Sequence, residues 1–244
     1  MRRAVVALIV LAGCSKPSGK TVRIAAAADL ARAFEELGRK FEAKSGIAPI
    51  FTFDSSGLLA KRIDEGAPYA LFAAANRDYA QDPVSHGKCD GSSLRQYAQG
   101  RIVVWAAANG PTQLSDLTDA RFARIAIANP DHAPYGKAAK QALTKAGLWD
   151  QLQTKIKYGE NIQATMQLAK TGAVDAAIVA QSLAVVDGGG TALAIDESLY
   201  DVLEQDLVVC GTGAEADYAH QFADFVASPD GREVMTRYGF VVPK

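Results

Sequence analysis

Ile24-Ala25-Ala26-Ala27-Ala28-Asp29-Leu30 is an apolar strand end that breaks directly into a helix, and its reading decides the fold. A strand, small residues and a cap-type residue in that order leave a helix N-terminus open at the edge of a sheet. The unpaired N–H groups and the dipole of such a terminus attract an anion. The same grammar returns at Phe53-Asp54-Ser55-Ser56-Gly57, at Pro134-Tyr135-Gly136 and at Glu160-Asn161-Ile162. Four such turns predict one cleft that holds a small anion.

Outward from the first turn, residues 22–25 read as a strand. Leu30, Phe34, Leu37 and Phe41 form a helical apolar stripe that stops at Gly46. A strand over 49–53, a helix over 58–65 closed by Gly66 and a buried strand over 70–74 complete a βαβαβ start, the signature of a mostly parallel sheet. The apolar run 101–107 reads as a crossover into a second lobe. There the pattern restarts with a strand over 124–128, a helix over 137–146, a strand over 155–158, a helix over 162–170 and a strand over 176–180. Residues 207–210 read as the return crossover, followed by a helix over 218–227 and a short final helix. Two lobes joined by two strands form a hinge, and small ligands favour such interfaces.

The chain has 244 residues, 49% hydrophobic and 22% charged, with a formal net charge of −1, which is enough apolar material for one large or two medium cores. The 26 basic and 27 acidic residues nearly balance and no basic run appears, which argues against a nucleic-acid partner. The N-terminus differs from the rest: Met1-Arg2-Arg3 is basic, 4–12 is apolar, and Leu11-Ala12-Gly13-Cys14 closes the segment. This is a secretory signal, too short for a membrane span. Two cysteines remain, Cys89 and Cys210. In an oxidising compartment they read as a disulfide, with two separate buried thiols as the alternative.

Positive signs of catalysis are absent from the sequence. His86, His132 and His220 are scattered without a second ligand at metal spacing, and Ser55-Ser56-Gly57 lacks the glycine of a nucleophile elbow. Neither a metal site by direct coordination nor a cofactor is expected. The helix-start loops can hold a dianion without Lys or Arg, because a closing cleft dries its N–H and hydroxyl donors and strengthens them. For any single loop simple capping competes with this reading, since Asp29 and Ser55 are ordinary N-cap types.

Across about 21–244 the chain resembles the molybdate-binding proteins of bacterial ABC importers, in the periplasmic-binding-protein superfamily. The resemblance rests on Ala26-Ala27-Ala28-Asp29-Leu30, on Phe53-Asp54-Ser55-Ser56-Gly57 and on Gly66-Ala67-Pro68 with Leu71-Phe72. It rests also on Asn129-Pro130-Asp131-His132-Ala133-Pro134-Tyr135-Gly136 and on the tail Arg237-Tyr238-Gly239-Phe240. The segment ending in Cys14 resembles the lipobox of bacterial lipoproteins, which implies cleavage before Cys14, acylation of its thiol and a tether over 14–20; a plain signal peptide is the alternative. The family resemblance implies a two-lobe α/β fold of the type II periplasmic-binding-protein kind, with a mostly parallel sheet in each lobe and a two-strand hinge. With the N-terminal segment and the two crossovers, the chain divides into a signal at 1–13, the tether, lobe 1 over 21–104 plus 207–244, and lobe 2 over 105–206.

By motif, Ala28 and Asp29 match the first-turn contact, Ser56 the hydroxyl donor of the second turn, and Tyr135 and Ile162 backbone N–H donors at the next two. Two departures bear on the site. Many family members have Ser or Asn at position 29. An ionised carboxylate there would repel each unit of anion charge by ~4 kcal/mol at about 4 Å and an effective dielectric near 20. Asp29 must therefore point away as a cap, carry a proton, or mark a different ligand. Members also often end the strand at Ala180 with Tyr, and Tyr135 is placed to replace that donor. The expectation is a monomeric, non-enzymatic lipoprotein, bound to the membrane only through its anchor, that delivers molybdate or tungstate to an inner-membrane ABC permease. The rivals are the same fold tuned to phosphate or sulfate, an oxyanion-sensing lipoprotein, and a secreted hydrolase.

Overall fold

A computed structural model describes residues 19–186 and 189–243, so the signal and Cys14 lie outside the described residues. The first lobe opens with β1 (Lys20–Ala27), a 3-10 turn (Ala28–Leu30) and α1 (Ala31–Ser45). β2 (Ile47–Asp54), α2 (Ser56–Asp64), β3 (Leu71–Ala73), α3 (Arg77–Ser85) and β4 (Asp90–Gly100) follow. The second lobe holds β5 (Ile102–Ala106), β6 (Ile125–Ala128), α4 (Pro134–Lys145), α5 (Trp149–Leu152), β7 (Ile156–Gly159), α6 (Ile162–Lys170), β8 (Ala176–Ala180), α7 (Gln181–Val186) and β9 (Thr191–Ala194). The chain returns through β10 (Leu203–Val209) and finishes with α8 (Gly213–Ala227) and α9 (Pro229–Arg237).

The two sheets run β2-β1-β3-β10-β4 and β7-β6-β8-β5-β9. In each, one strand opposes the rest: β10 is antiparallel to β3 and β4, and β5 to β8 and β9. The opposed strand is the one that has just crossed from the other lobe. The parallel trio β2, β1 and β3 aligns Ala27 with Asp54 and Ala26 with Ala73, so their carboxyl ends share one edge. β6 and β7 align Ala128 with Gly159 in the same way. Each of these ends feeds a helix or helical turn, and in open α/β sheets ligands bind beyond such carboxyl ends.

The lobe boundary falls earlier than the apolar runs suggest, and at both crossings by the same few residues. Ile102 to Trp105 pair with β8 and Val103 to Ala106 with β9, so 102–104 belong to the second sheet. Leu203 pairs with Gly100, so 203–206 belong to the first. An apolar run does not mark where a strand changes partner sheets; here the break is at Arg101, after Gly100. A side chain at Gly100 would run into Tyr135 and Gln205, so the chain crosses where only glycine leaves room for the contacts between lobes. Lys20, assigned by sequence to the tether, already pairs with Ile47 in β1.

The α1 stripe packs as its spacing predicts. Phe34, Leu37 and Phe41 are buried, and Phe34 and Phe41 meet Phe222 of α8 edge-on at 5.6 and 5.2 Å. On the opposite face of that sheet Leu59, Ala60 and Ile63 of α2 pack with Phe72 and Val208. Cys89 and Cys210 are joined there, S–S 2.01 Å, against the same cluster. Five elements escape a reading by pattern: α3, α5 and α7, β4, and β9. β4 is polar and mostly half-exposed along Asp-Gly-Ser-Ser-Leu-Arg-Gln, and it exists because β10 supplies its ladder. β9 is a short, mostly exposed edge strand. No helix among the described residues is long and apolar enough to cross a membrane.

Candidate oxyanion site

Four turns converge on one cavity between the lobes, lined among others by Ala28, Asp29, Ser55, Ser56, Tyr135 and Ile162. All five residues that the sequence singles out for the ligand lie on it. Its volume is about 10 Å³, far below that of pockets for drug-sized molecules, so the closed cleft has room only for a small ligand. Its lining contains Asp29 and Asp54 but no Lys, Arg or His among the described residues.

Ser56 is fully buried at the start of α2. Its Oγ accepts from the Ala75 N–H at 2.9 Å, which leaves the hydroxyl hydrogen to point elsewhere. Ser56 and Ile162 each open a helix, so their N–H groups have no acceptor inside it. Tyr135 follows Pro134, the first residue of α4. Proline has no N–H, so the Tyr135 N–H is the first donor that this terminus offers.

The capping reading of Asp29 and Ser55 does not hold. Neither the 3-10 turn at Ala28–Leu30 nor α1 has a side-chain cap, and neither does α2. Asp29 is 1% exposed, and its Oδ2 accepts from Tyr135 Oη at 2.9 Å and from Gln205 Nε2 at 2.6 Å. Oδ1 is buried with no hydrogen-bond partner among the described residues. Burial holds the Asp29 carboxyl up at about 6, against the hydrogen bonds from Gln205, Tyr135 and its own backbone N–H, which favour its charged form. The expectation that Tyr135 replaces a hydroxyl donor to the anion also needs correction. Its hydroxyl lies on Asp29 and accepts from Gln205 Nε2 at 2.9 Å, and burial raises its pKa well above that of a free phenol.

Gln205 continues the chain of contacts, accepting at Oε1 from Tyr97 Oη at 2.9 Å. Tyr97 Oη also lies 3.2 Å from the Ala74 carbonyl, next to the residue that orients Ser56. The polar groups behind the cavity are thus linked from Asp29 round to Ser56.

The lobes are shut on each other by contacts largely invisible in the sequence. The Gly57 N–H donates to the His132 carbonyl at 3.0 Å, and Ser55 Oγ lies 2.8 Å from His132 Nδ1. Asn161 caps α6 by accepting from the Ala164 N–H at 3.0 Å, and its Nδ2 donates across the cleft to Asp54 Oδ1 at 3.1 Å. Asp54 also holds Arg62 at 2.7 Å, so its charge is compensated inside lobe 1. Ser182 Oγ donates to the Asp29 carbonyl at 3.1 Å and Tyr79 Oη to the Asp131 carbonyl at 3.3 Å. The cap-type Asn161 and the motif histidine His132 had a signal in the sequence. Gln205 and Tyr97 had none, because they reach the site from the hinge strand and from the polar β4.

The Ser55–His132 contact is the single place where a hydroxyl meets an imidazole across the cleft, among the hydrogen bonds of the described residues. It bridges the two lobes and so acts as a closure contact. No cluster of three or more metal-ligating side chains occurs among the described residues.

A family model described as bacterial extracellular solute-binding protein matches residues 22–241. The chain is 31% identical over 99% of its length to the molybdate-binding protein ModA of Rhodobacter capsulatus, covering 96% of that protein. Among solved structures, the Azotobacter vinelandii periplasmic molybdate-binding protein superposes with a TM-score of 0.87 at 27% identity, over 91% of this chain and all of that one. The sulfate-binding protein SubI of Mycobacterium tuberculosis, at 14% identity and a TM-score of 0.76 over 91% of this chain and 86% of its own, shares the fold alone.

Proposed function

The chain belongs to the bacterial extracellular solute-binding proteins, and from that premise we propose that its cleft captures molybdate or tungstate and delivers it to an ABC importer. One observation carries the reading: donors without cationic side chains, from helix starts of both lobes, line one small cavity. Dipoles and N–H groups aimed into a dry space hold a dianion with no formal counter-charge. The names of the Rhodobacter and Azotobacter relatives support molybdate over other oxyanions. Discrimination against sulfate then follows from cavity size, since both ions carry the same charge. Ala28, Asp29, Ser56, Tyr135 and Ile162 are the proposed contacts, with the Ser56 hydroxyl and the Tyr135 and Ile162 N–H groups as donors to anion oxygens.

The proposal extends to a monomer tethered outside the cytoplasm by a lipid on Cys14, with the importer's permease as its membrane partner. Mass spectrometry of the membrane-extracted protein would find a diacylglyceryl-modified Cys14 as the first residue. Isothermal titration with molybdate, tungstate, sulfate and phosphate tests the ligand: molybdate and tungstate are expected to bind far more tightly than the others. Tight phosphate binding without molybdate heat would overturn the assignment. In the same assay Ser56→Ala should weaken molybdate binding by about 1–3 kcal/mol, the usual loss for a charge-assisted hydrogen bond. Unchanged affinity would remove Ser56 from the site.

A further inference from the structure

We propose that the cleft takes up one proton together with its anion, and that the proton sits on Asp29 Oδ1, from which the carboxylic acid donates to an anion oxygen. This rests on the oxyanion reading above and specifies which form of the site binds.

The two carboxyl oxygens of Asp29 are in different positions. Oδ2 already receives two donors, Tyr135 Oη and Gln205 Nε2, and the carbonyl oxygen of a neutral acid still accepts both there, more weakly than a carboxylate does. A proton on the carboxyl therefore belongs on Oδ1. That atom is buried, has no hydrogen-bond partner among the described residues, and is carried by a residue that lines the cavity. A buried polar atom left unpaired is unfavourable, and an anion oxygen would complete its bonding.

Among the described residues, the groups around Asp29 supply no counter-charge. Tyr135 faces it from α4, and Tyr97 lies close enough on β4 to sense its charge. Gln205 on β10 is neutral, as is Ser182 on α7, which reaches only the Asp29 carbonyl. At the end of β2 Asp54 lines the same cavity, but its partner Arg62 belongs to it. On α1, Arg32 is exposed and lies beside Glu35. On α6, Ile162 lines the cavity and brings no charge. Burial outweighs the hydrogen bonds that favour the ionised form and leaves the carboxyl at about 6, and a dianion against it favours the neutral form further. As the lobes close on the anion, solvent delivers a proton to Asp29 and the site keeps only the two charges of the anion, where an ionised carboxyl would add a third. A neutral amide or hydroxyl at this position would donate without that step.

The test is calorimetry of the mature protein with molybdate, which carries no proton above about pH 6, in buffers of different ionisation heat. About one proton should be taken up per anion near pH 7.5, and affinity should fall towards tenfold per pH unit above about pH 7. Asp29→Asn keeps the shape and a neutral donor, so proton uptake should vanish, the pH slope should flatten, and the variant should bind more tightly than the parent at pH 8.5. Molybdate binding by the parent with a flat pH profile and no proton uptake would overturn the inference while leaving the function intact. Absence of molybdate heat at every pH would overturn both. So would heat from hydrogen phosphate alone, without uptake from buffer, since the ligand would then bring the proton that Asp29 accepts.

Discussion

Gly57→Ala is expected to weaken anion binding by about 2–4 kcal/mol while leaving the unliganded protein as stable as before. Gly57 is the second residue of α2 and its backbone is ordinary helix, so alanine suits the local conformation. The obstacle lies in the other lobe. A Cβ at Gly57 would stand 2.8 Å from the His132 carbonyl oxygen and 3.0 Å from its Cα, both backbone atoms that cannot rotate aside. The closed arrangement would have to open, lengthening the Gly57–His132 hydrogen bond and loosening the Ser55–His132 contact beside it. The open arrangement meets no such clash. Titration calorimetry should therefore show weaker binding while the melting temperature without ligand is held. Affinity equal to the parent's would mean that closure does not bring these backbones together.

Breaking the Cys89–Cys210 bridge should have the opposite signature, a large loss of stability with little loss of affinity once folded. The bridge closes a loop of 121 residues that contains the whole second lobe. Loop entropy for a closure of this length gives about 5 kcal/mol, less any strain, so about 3–5 kcal/mol is expected. The bridge lies away from the ligand. Val209 pairs with Leu71, the first residue of β3, whereas the cavity lies beyond Ala73, the last. Urea unfolding of Cys89→Ser/Cys210→Ser against the parent, with molybdate titration of both, measures the two quantities. A stability change below about 1 kcal/mol would show that packing of Phe72, Ile63 and Val208 holds the region without the bridge.

Much of lobe 1 was legible because its strands and helices carry local signals. The α1 stripe, the buried 70–74 run and the turn at Ser55-Ser56-Gly57 need no knowledge of the rest of the chain. β4 and β9 were illegible because neither is apolar or alternating; each is a strand through the partner beside it. The lobe boundary was misplaced for a related reason. Arg101 to Ala107 is continuous as a pattern, and the change of sheet after Gly100 is a matter of which strand lies alongside. At the site, Ser56 and Ile162 follow from helix-start grammar, which depends on neighbours in sequence. The contacts of Asp29 do not, since its partners stand 106 and 176 positions away.

The sequence by itself determined a two-lobe α/β chain with donors at four helix starts, because strand ends, glycine stops and apolar periods act over a few residues. It also determined that position 29 is a carboxyl where a neutral donor would suit a dianion. Only the tertiary structure decided how that carboxyl is used. Folding brings Tyr135 from one lobe and Gln205 from the hinge strand onto Oδ2; among the described residues it buries the group without a cation and leaves Oδ1 unpaired in the residue that lines the cavity. Burial and hydrogen-bond partners set the protonation of a carboxyl, and both are properties of atoms brought together from distant positions in the chain.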